Sequence, residues 1–121
     1  MPWLEIKTSK ELHRFRIDDI VYIKADGNYS HLHLISGKEW TLTLQLGKLV
    51  DYLQKMDSKM FVLVGRSLLV NKDYVSYVSP VDRKLLLTDN RQWTIELNAK
   101  NDAPLEKALR DLKDLFGQNK Q

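Results

Sequence analysis

Apolar and polar residues alternate with a period of two over most of the chain, the spacing of a half-buried β-strand. Residues 40–44, WTLTL, put Trp40, Leu42 and Leu44 on one side, which predicts Trp40 as buried. Residues 29–35, YSHLHLI, place Leu32 and Leu34 on a common face. Short apolar runs at 20–23, 61–64, 68–70, 74–78, 85–88 and 93–97 read as further strands. Between them lie turn-forming clusters: DGN at 26–28, SGK at 36–38, NKD at 71–73, SP at 79–80 and DNR at 89–91. Many short strands at such close intervals predict a mainly all-β, antiparallel sandwich or barrel-like fold.

Two segments switch to the helical period. Leu46, Leu49, Val50 and Leu53 follow i, i+3, i+4, i+7 and predict a short helix inserted among the strands. Leu105, Ala108, Leu109, Leu112 and Phe116 predict a second, C-terminal helix. Asp102 suits its N-cap, Pro104 its first turn and Gly117 its stop, with 118–121 as a fraying tail. Neither an internal repeat nor a linker interrupts the pattern. The expectation is one domain, with the β-rich part at 1–101 and the helix and tail at 102–121.

Composition narrows the classes. The chain has 121 residues and no cysteine, which excludes disulfide scaffolds, Cys-ligated metals and thiol chemistry. With 43% apolar and 29% charged residues it matches an ordinary globular protein. Its apolar stretches are too short to span a bilayer, and charges interrupt the first residues as no signal peptide allows. A cytoplasmic location is expected. Nineteen basic side chains face sixteen acidic ones, a net +3. The excess is spread over both halves, so it permits a local nucleic-acid patch without arguing for one.

Candidate chemistry is sparse. His31 and His33 share a strand face, but a metal site wants a third ligand, and His13 has no spacing that places it near. Asp26 is assigned to the turn, so no metal or other cofactor is expected. Asp18 and Asp19 suit a turn, and Ser30, Ser67 and Ser79 lack nucleophile-elbow glycines. The five glycines are scattered and make no phosphate loop. No enzyme emerges. What remains is polar loops at 24–31, 65–67 and 98–101 on a β scaffold. Arg66 stands out, because a guanidinium between two very apolar strands must pair or face solvent, and it suits bidentate contact with guanine or phosphate.

Two of these segments, IDDIVYIKADGNY at 17–29 and FVLVGRSLLVN at 61–71, resemble in order and spacing the LytTR DNA-binding domain of bacterial response regulators. The resemblance runs from about residue 4 to 100. It implies a compact fold of about ten short, mostly antiparallel strands whose loops enter the major groove of duplex DNA. Carried over residue by residue, it implies DNA contacts at Asn28, Tyr29, Ser30, His31, Arg66, Ser67 and Lys100. Lys24, Lys72 and Lys84 are candidates for phosphate contacts. Asn71 reads as a structural turn residue, and Tyr22 and Phe61 as core. Gly65 stands where the family often has His, which is expected to loosen that loop, and 98–101 keeps a single positive charge.

The implied partners are double-stranded DNA at promoter repeats and a receiver domain or sensor. The implied state is a monomer in isolation that pairs on DNA, without membrane insertion. Three alternatives stay open: a protein-interaction module of the same fold without DNA affinity, a metalloenzyme around His31 and His33, and single-strand binding through Tyr29, Tyr22 and Trp40. Burial expected for Trp40 weighs against the last of these.

Overall fold

Alternating residues become paired strands because each strand then hides one face while its backbone N–H and C=O groups satisfy one another. The computed structural model describes residues 3–56, 59–88, 92–96 and 103–117. The boundary expected at 101 lies outside them. Two compact units divide the chain, Met1–Lys59 and Met60–Gln121.

The first unit opens with a hairpin that the periodicity did not mark. Strands β1 (Trp3–Lys7) and β2 (Leu12–Arg16) pair antiparallel, Leu4 with Phe15 and Ile6 with His13. Leu4, Ile6 and Phe15 are buried. Thr8 closes the loop, its Oγ1 accepting from the Glu11 backbone N–H at 2.9 Å. A single 3-10 turn, Ile17–Asp19, leads into β3 (Ile20–Asp26), β4 (Tyr29–Leu34) and β5 (Glu39–Leu42), which form an antiparallel meander. Helix α1 (Leu46–Lys55) packs on β3 and buries Leu46, Leu49 and Leu53. Val50 is only half-buried at the rim of that stripe.

The second unit begins with the hairpin β6 (Phe61–Val64) and β7 (Leu68–Asn71). Strands β8 (Val75–Ser79), β9 (Lys84–Thr88) and β10 (Gln92–Glu96) follow as an antiparallel sheet with β9 central. Helix α2 (Ala103–Gly117) lies against β6 and β8 and buries Leu105, Leu109 and Leu112. With Leu85 and Leu87, both fully buried, these leucines form the core, each contributing about 1.5–3 kcal/mol. The fold is all-β in character with two helices, as expected from the sequence.

Several expectations need correction. Trp40 is 38% exposed, because it sits on β5, paired on one side only within this unit, and meets His13 and Phe15 edge-on. Phe116, in the last turn of α2, is 39% exposed at the rim of a concavity that it lines with Val75–Val78 of β8. Tyr22 and Phe61 are half-buried rim residues. The N-cap expected at Asp102 lies outside the described residues.

Candidate nucleic-acid interface

The β3–β4 hairpin turns in two residues, Gly27 and Asn28, since Asp26 pairs with Tyr29 across the ladder. Gly27 carries φ +60°, while no atom lies within 4 Å of where its Cβ would stand. Glycine is therefore required by the backbone, as at the first position of a II′ turn, and not by space. Asn28 is exposed, yet its Oδ1 accepts from Gln45 Nε2 at 3.0 Å, so its amide is aimed. Tyr29 is 48% exposed.

Ser30 differs from its neighbours. It is fully buried, and its hydroxyl donates to the Leu44 carbonyl at 2.6 Å. Such a group holds the strand to the segment before α1 and offers nothing to a ligand. Its parity with Leu32 along β4 was the signal for this.

His31 is the most tightly held polar side chain of the hairpin. Its Nε2 lies 3.1 Å from Asp26 Oδ2, and its Nδ1 lies 2.8 Å from Thr41 Oγ1 and 3.2 Å from Glu39 Oε1. Asp26 thus ends β3 and serves His31, a pairing the assignment of Asp26 to the turn had missed. His33 stacks on Tyr22 at 4.1 Å with its Nε2 3.9 Å from Glu39 Oε2. Burial pushes the His33 pKa below the usual value, against the opposing pull of Glu39 and with help from His31 and Lys24. Burial, and then Glu39, raise that of Tyr22. These residues line a shallow concavity of about 430 Å³ together with Lys24, which faces His31 across the ladder. Among the described residues, no group of three or more His, Asp or Glu is arranged to hold a metal ion.

In the second unit the β6–β7 turn comprises Gly65, Arg66 and Ser67. Gly65 takes φ +68°. It shapes the turn, a role the expected loosening overlooked. Arg66 and Ser67 are exposed, flanked by Val64 and Leu68 at 1% and 3% exposure. Among the described residues Arg66 has no ion pair. A free guanidinium between two anchored strand ends is a presented group. Asn71, 1% exposed, accepts from the Asp73 backbone N–H at 3.0 Å, the turn role expected of it.

Lys24 is exposed on β3. Lys72 follows β7 at the end opposite the Arg66 turn, its backbone N–H bound to the Met60 carbonyl at 2.8 Å. Lys84 begins β9 and is exposed. Lys100 and the rest of 98–101 lie outside the described residues. The periodicity also passed over a second cluster of aromatic and cationic side chains, on and around β2. There the Arg14 guanidinium sits 4.4 Å from the centre of the Trp3 ring.

The scaffold is all-β and presents polar side chains from its β3–β4 and β6–β7 hairpin turns. The chain matches the LytTr DNA-binding domain family over residues 10–116 and belongs to that family. The match takes in α2. The chain is similar to an uncharacterized response regulatory protein of Vibrio cholerae, with 26% identity over 77 residues, 64% of this chain and 30% of that protein. It thus spans about a third of that relative's length. Its fold is that of the LytTr DNA-binding domain of a protein described as a methyl-accepting/DNA response regulator from Bacillus cereus. That likeness has a TM-score of 0.59 at 14% identity and covers 95% of this chain and 96% of the other. No helix among the described residues is long and apolar enough to cross a membrane.

Proposed function

We propose that this chain binds duplex DNA sequence-specifically, as the effector part of a bacterial transcription regulator that reads the major groove through its turns. The carrying observation is Arg66, exposed and without an ion pair among the described residues, on a hairpin turn whose flanking strand ends are buried. Arg in that setting suits bidentate contact with a guanine edge. Asn28, Tyr29 and His31 supply a second set of contacts, with Asn28 suited to adenine. Ser67 joins Arg66. Ser30 acts from behind, by fixing the strand. Lys24, Lys84, Lys72 and Lys100 are proposed for phosphates, Lys72 with the least support because β7 separates it from Arg66.

The reading is of a binding protein, not an enzyme, working without a cofactor in the cytoplasm. Its partners are promoter repeats, on which monomers pair, and a receiver domain or sensor. Fluorescence anisotropy against labelled duplexes of several sequences, with salt varied, tests it. Expected are affinities that differ between duplexes and fall with salt by about 0.9 in logarithmic slope for each phosphate contacted. Equal affinity for all duplexes and for single strands would refute it. The runner-up, a protein-interaction module, is favoured by one feature: Asp26 and Glu39 beside His31 repel phosphate. Absence of any salt-sensitive duplex binding would favour that runner-up.

A further inference from the structure

The first unit carries a second cleft, of about 460 Å³, between β2 and the β4–β5 end of the meander. Its size is that of a small-molecule site. Trp3, Leu12, Phe15, Leu34 and Trp40 supply its apolar surface, and Leu12 and both tryptophans remain more than a third exposed. Arg14, Arg16 and Lys38 line it against one carboxylate, that of Asp19. Arg14 already donates to Glu5 Oε2 at 2.7 Å. Arg16 and Lys38 have no ion pair among the described residues. The Arg16 guanidinium lies 5.9 Å from the Trp3 ring centre, beside that of Arg14 at 4.4 Å, so both cations are gathered along the β2 rim of the cleft.

From this juxtaposition we infer that the cleft binds a small organic anion with a flat apolar body and one acidic head group. The Trp40 ring, edge-on to Phe15, would cover the flat body, where aromatic contact adds to the area buried. Arg16 and Lys38 would hold the head, which exchanges two solvated cations for charge-assisted hydrogen bonds. An uncharged ligand would leave both cations unanswered, and a cation would meet them head-on. The cleft is lined by Asp19 and Leu34, at the end of the β3–β4 hairpin away from the Gly27 turn. Strand β3 sets the two ends roughly 20 Å apart, so occupancy leaves that turn open and the inference does not depend on DNA reading.

Titration of the full chain with anilinonaphthalene sulfonate, followed by its fluorescence and by tryptophan quenching, tests the inference. Its uncharged analogue phenylnaphthylamine is titrated in parallel. Expected is saturation at one sulfonate probe per chain, with the uncharged probe at least about tenfold weaker, the value of one charge-assisted contact. The double variant Arg16→Ala/Lys38→Ala should weaken the sulfonate probe by a similar factor. Trp40→Ala should weaken both probes. Both cations are surface groups, and unchanged circular dichroism of the double variant shows that the fold is kept. Equal affinity of the two probes, non-saturating binding, or wild-type affinity in the double variant would each overturn the inference. So would a concentration-dependent dimer that Leu12→Asp abolishes, since a second copy would then be the occupant.

Discussion

The two hairpin turns differ in how their polar side chains are held. At the β3–β4 turn the side chains are restrained: Asn28 by Gln45, and His31 by Asp26, Glu39 and Thr41. At the β6–β7 turn Arg66 projects without an ion pair among the described residues, while the strand ends beside it are buried. A restrained group loses little rotamer freedom on binding and gives shape. A free guanidinium is ordered only by its ligand, which costs about 0.5–1.5 kcal/mol but lets it select that ligand. In the proposed DNA reading, the first turn positions the duplex and the second discriminates between sequences.

Removing the free cation should break this contrast most clearly. Arg66→Ala is expected to cost about 1–3 kcal/mol of affinity on a preferred duplex, with thermal stability unchanged, as anisotropy and a melting curve would register. Ser30→Ala tests the restrained turn from beneath. It leaves the Leu44 carbonyl without its donor and should lower unfolding free energy by about 1–2 kcal/mol in urea titrations. Gly27→Ala should cost about 1 kcal/mol by backbone strain alone, since its Cβ would meet no atom within 4 Å.

The smallest effect expected is one of pH. His33 titrates below its ordinary 6.5 because burial disfavours its charged form, so the unfolded chain binds the proton more readily. Its contribution to stability is full above pH 6.5 and is lost as pH falls from there through the lowered value. Melting temperature should therefore drop on acidification through that window in the wild type, and less in His33→Gln. Equal drops in both proteins would remove His33 from the explanation.

Much of this was legible beforehand, and the exceptions are physical. The strands from residue 20 onward and both helices follow from periodicity, because their buried faces repeat over several residues. The β1–β2 hairpin escaped because β2 buries only Phe15, while its one other apolar residue, Leu12, is exposed and His13, Arg14 and Arg16 fill the remaining positions. For Trp40 the alternation identified the right face, opposite buried Leu32, but not that an edge strand leaves a large ring partly open. Ser30 shares its parity with Leu32, so its burial was readable and the polar side chain concealed it. The links of His31 to Thr41 and Glu39 depend on the β4–β5 register, which no local pattern specifies.

Selection of a random duplex library by the wild type and by Arg66→Ala, side by side near physiological salt, tests the central claim most directly. The expected result is a short motif enriched by the wild type, and the same motif from the variant with one position relaxed. No motif from the wild type, or an identical one from both proteins, would contradict the reading of DNA through the Arg66 turn.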